Sequence, residues 1–521
     1  MSGARRGRAV ATVPPAPALR HAERMSHLRR ARAAPLALVA LLAAGCGSGH
    51  GTRSTAASSP APAATSSTSA KPAPRAAATV LRDWPLFGLR ASRENATDAA
   101  TGVTAADLGR LRRHQVRLPG TVDSSPIVLG DTAYATTTYG RTVAVDLATG
   151  RLRWTFTPSG YDALVGTYRI TNASPAADPS RSFVFTASPD GLVHKLRVGD
   201  GREVGGGWPV SITRDPTREK ITSSFNVSGP LLVVTTGGYI GDAPPYQGHV
   251  VTIERATGRI VAVFNSLCSD RRAIIVPSSC AASDSAIWAR SGAVVVPGSR
   301  DLLVATGNAP FDGRTDWGDS VLRLSSDAGR LRQSWTPRDQ AQLNATDGDL
   351  GSTAPALLGH GLALQGGKAA VLDLLDLSRL NGTPGAGPRL GGEVQELPAP
   401  GGQGVFSAPA VWHHGGRTTV FVTTGGGTAA YRLVGRRLRR TWFDDHGGTS
   451  PVVAGGLLYV YDPAGGLRVY APGTGRPLKV LAAGAGHWNS PVIAGGRIVL
   501  PEGNANDHAG DGVLDIWSVA R

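Results

Sequence analysis

The chain has 521 residues, 68 glycines, 36 prolines and only 18% charged residues, a composition that excludes a helical bundle or coiled coil. Its formal net charge of +16 is concentrated at the front, where residues 1–80 hold 11 Lys/Arg against a single acid, Glu23. The remainder is mildly basic with no basic helix and no aromatic–basic stripe, so nucleic acid is not an expected partner.

Residues 26–44 read SHLRRARAAPLALVALLAA and are followed by Gly45-Cys46. Arginines precede an apolar run too short to span a bilayer as an ordinary helix, then small residues, which is the pattern of an export signal. Leu42-Ala43-Ala44-Gly45-Cys46 resembles the bacterial lipobox. The resemblance implies that residues 1–45 are a removable signal peptide and that Cys46 is lipidated. An extracytoplasmic protein held on the bacterial cell membrane by a lipid anchor is therefore expected. Met25 stands where a start would stand, so residues 1–24 are an over-extended start on this reading. Residues 46–80 are Ser, Ala, Pro and Thr with little apolar bulk and are expected to form a disordered tether.

Residues 81–521 read as one all-β domain. A small-residue turn ending in proline leads into an apolar strand at Ser124–Pro126, Ala173–Pro175, Ser228–Pro230, Ser352–Pro355, Ser407–Pro409, Thr449–Pro451 and Asn489–Pro491. Between these turns recurs a strand, a glycine turn and a strand often bearing tryptophan, as in VAVDLATGRLRWTF and LRVYAPGTGRPLKVL. A repeat of this length with several short strands is the signature of a β-propeller. Seven proline turns plus the Ser285–Trp288 segment predict eight blades, with seven as the alternative. Asp83-Trp84 and the strand VLDIWSVAR are expected to share the closing blade. The remaining cysteines, Cys268 and Cys280, are expected to form one disulfide in an exported chain.

From about residue 83 onward the chain resembles the quinoprotein propellers typified by pyrroloquinoline-quinone (PQQ) alcohol dehydrogenases. DWPLFGLRASRENAT (Asp83–Thr97) is similar to that family's opening strand, and AVDLATGRLRW (Ala144–Trp154) to its repeat. The central stretch Ile287–Lys368 carries the more specific likeness. The resemblance implies PQQ and calcium as cofactors, an alcohol or sugar as substrate and a separate electron acceptor. It implies that Trp288, ahead of the ATGN turn, is the floor on which a planar quinone stacks, and that Asn308 of that turn is a calcium ligand and part of the cofactor site. Asp347 matches the general base beside the metal and is counted among the metal-site residues with Asn308 and Asp242, and Lys368 in GGKAAVLD matches the lysine that bonds the quinone carbonyls. Asp242 stands where the family carries an acidic calcium ligand, on a shorter side chain than the usual glutamate. The adjacent-cysteine ring and the fused haem domain of many members have no counterpart here.

The resemblance implies two possible functions. One is a calcium- and PQQ-dependent dehydrogenase. The other is a non-catalytic propeller lipoprotein that binds partner proteins, similar to those of outer-membrane assembly, because the fold by itself does not select between them. His413-His414, the carboxylate pair Asp444-Asp445 and the acidic loop Glu502–Gly512 read as ordinary blade turns.

Overall fold

The computed structural model describes residues 79–382 and 387–519. The export segment, Cys46 and all but the end of the tether lie outside the described residues. Thirty-three short strands form eight antiparallel sheets, seven of four strands and one of five. These are the eight blades of a β-propeller. Among the described residues there is one α-helix, Gln340–Thr346, which the sequence pattern does not announce.

Most blades grade from a buried first strand to a half-wet last strand. In the blade built from Ile127–Leu129, Thr132–Thr136, Thr142–Asp146 and Leu152–Phe156, the first two strands are wholly buried and the fourth alternates in and out. Two tryptophans of fourth strands, Trp154 and Trp442, pin one blade to the next. Trp154 Nε1 donates to the Val198 carbonyl at 2.9 Å, and Trp442 Nε1 to the Pro472 carbonyl at 2.8 Å. Each indole lies over a glycine of the neighbouring turn, Gly201 or Gly475, where a Cβ would strike the ring. Both glycines also have positive φ, 70° and 71°, so the recurrent glycine–tryptophan pairing answers to space as well as to backbone geometry.

The ring closes differently from the sequence expectation. The strand Gly512–Val519 pairs with Leu111–Leu118 over eight residues, from Leu111 opposite Val519 to Leu118 opposite Gly512. Asp83-Trp84 does not enter that sheet. Trp84 instead exchanges backbone hydrogen bonds with Val128, at 2.7 and 2.9 Å, and its indole is 1% exposed in the core. Closure by first and last strands ties the seam with a backbone ladder between the two ends of the ring. The Ser228–Pro230 turn is a second correction. It joins Asn226–Ser228 to Leu231–Gly238 within a blade, and the true entry turn of that blade is Thr222–Phe225.

Cys268 and Cys280 are disulfide-bonded, as the exported-chain reading expects.

Candidate functional site

Blade geometry brings distant turns to one end of the ring. The first strand of a blade leaves that end and the second returns to it. Entry turns and second-to-third-strand turns therefore share one face. The central cavity there has a volume of about 550 Å³ and is lined by Trp288, Asn308, Asp347, Asp349, Lys368 and Asp242 among others. All five site positions read from the sequence thus reach a single cavity.

Five of the lining groups form one hydrogen-bonded cluster. Asn308 Nδ2 donates to Asp347 Oδ1 at 2.8 Å, while Asn308 Oδ1 accepts the Asp349 backbone N–H at 2.9 Å. Lys368 Nζ lies 2.6 Å from Asp347 Oδ1 and 3.1 Å from Asp349 Oδ2. Trp288 Nε1 donates to Asp349 Oδ2 at 3.1 Å, and its ring centroid is 5.5 Å from Lys368 Nζ.

Local structure explains each placement. Asp347 caps the C-terminus of the helix Gln340–Thr346 at φ 56°, a left-handed position that aspartate tolerates better than most residues. Its side chain is 68% exposed to the cavity, whereas that of Asp349 is 11% exposed. The turn is fastened from behind by Asp319 Oδ1, which accepts the Leu350 N–H at 3.1 Å. Gly307 is required for space: a Cβ there would collide with Asp349 Oδ1. Neither Gly307 nor Asn308 has positive φ, so this Gly-Asn pair does not serve left-handed geometry.

The electrostatics follow from burial. Burial pushes the Asp349 carboxyl above the usual carboxylate range, against the pull of Lys368. Burial also opposes the charge on Lys368, but Asp349 and Asp347 overcome it and hold the ammonium above the ordinary lysine value. Asp319, buried and facing the Asp349 charge, is pushed up to about 7. Asp349 Oδ1 is buried with no partner in the protein, an oxygen directed at nothing the chain supplies.

Asp242 lies on the exposed part of the cavity lining, in a loop, and accepts a hydrogen bond from Tyr246 Oη at 3.1 Å. Burial, reinforced by Asp242, raises the neighbouring Asp284 carboxyl. The structure adds lining groups that the sequence reading omits: Lys220, Arg290, Phe406, His487 and Trp488. Phe406 packs beside Trp288 and Trp488, with ring centroids 6.1 and 5.8 Å away. A sequence signal for part of this wall exists. Asn172, Phe406 and Trp488 each stand three residues before the proline of an entry turn, the point at which the chain passes the hub.

Comparisons with known proteins can be set against this geometry. The family described as outer membrane protein assembly factor BamB matches residues 103–295. A polyvinylalcohol dehydrogenase of Sphingopyxis sp. (strain 113P3) is 24% identical over 257 residues. That alignment covers 47% of this chain and 38% of the relative, so the chain spans well under half the length of the curated relative it matches. Three solved structures share the fold. The quinohemoprotein alcohol dehydrogenase of Comamonas testosteroni superposes with a TM-score of 0.63 at 16% identity, covering 86% of this chain and 82% of that one. A europium-containing methanol dehydrogenase gives 0.61 at 16% identity, covering 84% and 98%. BamB from Moraxella catarrhalis gives 0.50 at 13% identity, covering 78% and 97%.

Proposed function

We propose that this eight-bladed propeller, which is similar to a polyvinylalcohol dehydrogenase over 257 residues, is a dehydrogenase of alcohols or sugars that uses PQQ and a hard metal ion, calcium by expectation. The carrying observation is the cluster of Asn308, Asp347, Asp349 and Lys368 around the Trp288 indole in one cavity. The residues fit such cofactors. Carboxylate and amide oxygens suit a hard cation, the Asp349 oxygen without a partner is available to one, and an indole face suits a flat ring system.

In this reading the bound quinone supplies the two-electron acceptor for a hydride. The chain's own residues do the rest. Asp347, open to the cavity, takes the hydroxyl proton of the substrate. Asn308 holds the Asp347 carboxylate in place through Nδ2. Lys368 supplies positive charge beside both carboxylates and donates to an oxygen that gains charge. Asp349 fixes the Trp288 ring through Nε1. Asp242 on the rim is a further candidate metal ligand. The site residues and their roles are part of this proposal.

A signal ending at Gly45 and a lipid on Cys46 would hold the propeller on the outer side of the cell membrane, and electrons would pass to a separate acceptor. Among the described residues no helix is long and apolar enough to cross a membrane. Radiolabelled palmitate incorporation in the bacterium, lost on Cys46→Ser, tests the anchor.

A second reading has its own support in the match to the BamB description over residues 103–295: a scaffold that binds partner proteins without cofactor. Titration of the purified chain with PQQ and calcium, followed by quinone absorbance and dye reduction with a panel of alcohols and aldoses, separates the two. Saturable binding that weakens in Asn308→Ala and Asp347→Ala supports the dehydrogenase. No binding at micromolar PQQ, with or without added calcium or a lanthanide, favours the scaffold.

A further inference from the structure

We propose that Lys220 and Arg290 form a subsite for a carboxylate on the wall of the central cavity, a function that neither the metal cluster nor the base requires. Strand alternation creates it. In Glu219–Ile221 and the following Thr222, Glu219 and Ile221 turn into the core, at 0% and 1% exposure, while Lys220 and Thr222 line the cavity. Arg290 is anchored to the same face: its Nη2 donates to the Thr222 carbonyl at 3.2 Å and to the Trp288 carbonyl at 3.3 Å.

Both cations lack an acid. Lys220 Nζ donates to the Asn172 side-chain oxygen at 3.2 Å, and among the described residues neither group forms an ion pair. Arg290 is 7% exposed, and its Nη1 is buried without a partner. Asp123 is the carboxylate whose charge both feel, and Lys220 also feels Asp242 on the rim, yet the two Asp123 oxygens are already taken. They accept from Asn172 Nδ2, His487 Nδ1 and the backbone N–H groups of Trp488 and Ala505, at 2.8–3.0 Å. Two like charges on the wall of one cavity and held out of water are costly unless a ligand neutralises them. Burial lowers Lys220 to about 8 and Arg290 to about 10, with Arg290 adding to the effect on Lys220.

The free guanidinium edge and the ammonium offer the donor set that a planar carboxylate accepts. Aromatic faces flank it: the Arg290 guanidinium lies 5.1 Å from the Trp488 ring centroid and Lys220 Nζ lies 5.7 Å from that of Tyr239. The ligand is therefore an organic acid with a body that packs on rings. Its carboxylate belongs either to the substrate, as in a sugar acid, or to a polycarboxylate cofactor. The subsite does not rest on the redox reading, since a scaffold with these two groups would bind the same acid.

Calorimetric titration of the purified chain, without PQQ or metal, tests it with glucuronate and citrate as probes and glucose as the uncharged control. Glucuronate and citrate should bind with glucose at least tenfold weaker, binding should weaken as chloride is added, and Lys220→Met should weaken glucuronate at least tenfold. Lys220 is the cleaner site because its Nζ has only a side-chain partner, and Arg290→Lys serves should Lys220→Met fail to fold. Equal binding of glucuronate and glucose, no binding of either acid, or unchanged affinity in a folded variant would overturn the subsite. Competition then assigns the source. Displacement of glucuronate by PQQ makes the carboxylate the cofactor's, and simultaneous binding of both makes it the substrate's.

Discussion

Asn308 and Asp347, 39 residues apart in the chain, meet through a 2.8 Å hydrogen bond from the amide Nδ2 to the carboxylate Oδ1. The same amide accepts the Asp349 backbone N–H through its oxygen, so one side chain sets the position of two acidic residues from a different blade turn. Both ends of the amide are in use, which fixes its orientation.

Asp347→Asn separates chemistry from placement. Asparagine also tolerates the left-handed backbone at this helix end, so the fold should be kept. If Asp347 takes the substrate proton, dye reduction in the presence of PQQ and calcium should fall about 100-fold or more, while the melting temperature and the affinity for PQQ stay close to wild type. Steady-state kinetics beside a fluorescence titration of PQQ read both quantities.

Lys368 and Asp349 should behave as a coupled pair. Removing the ammonium in Lys368→Met leaves Asp349 buried among Trp288 and backbone groups with its charge uncompensated, and the cost should be about 1–3 kcal/mol in urea unfolding. Asp349→Asn in the same background should recover much of that loss. A double-mutant cycle with no coupling would show that the ammonium does not hold the carboxylate.

The His249–Glu219 pair predicts the pH dependence of a different region. His249 Nε2 faces the Glu219 carboxylate at 3.0 and 3.1 Å, and Nδ1 faces Asn265 Oδ1 at 2.7 Å. Asn265 Nδ2 donates to the Arg271 and Ala273 carbonyls, so its oxygen is the atom turned to the ring. Acceptors on both sides require an imidazolium. Burial opposes that charge, Glu219 outweighs the opposition, and the ring stays protonated above its ordinary range. A raised histidine contributes stability that is complete below the unfolded value near 6.5 and is lost as pH rises through the folded value. Thermal melts should therefore show wild type losing stability on the alkaline side, with a flatter profile for His249→Gln.

Asp373 acts in the same direction over a window that opens at lower pH. It is 7% exposed, and burial together with Glu393, Glu396 and Asp339 pushes its carboxyl up to about 8. The folded chain holds this proton where the unfolded chain, with an ordinary carboxyl, does not. Stability from this group is full at pH below about 4 and falls as pH rises towards 8. Asp373→Asn should raise the melting temperature at pH 8–9 and leave it nearly unchanged at pH 4.

Much of the ring is legible in the sequence because its repeat is enforced by packing that recurs. The proline entry turns and the glycine–tryptophan pairs are local patterns with one physical cause each, and they give the blade count. The closing pair was less legible. Gly512–Val519 reads as a strand, but its partner Leu111–Leu118 is half polar and looks like an exposed edge until the pairing is known. The proline in Ser228–Pro230 imitates an entry turn because a hairpin also favours glycine and proline. In the cavity, Asn308, Asp347 and Lys368 carry polar groups in glycine-rich turns and stand out. Lys220 does not, since its burial arises from the alternation of a three-residue strand, and Arg290 gains its meaning only from the Thr222 carbonyl and the Trp488 ring of other blades.

The cavity residues that precede the entry prolines, Asn172, Phe406 and Trp488, occupy corresponding seats in different sheets while contributing no pair to any strand ladder. Such seats can be refitted one at a time. A ring can give way to a smaller side chain, or the Asn172 amide to a neutral polar group, with the wheel around them left standing. A scaffold of this kind changes what it holds by exchanging furniture at the axle, and single substitutions at these three positions offer the shortest experimental route to a new preference.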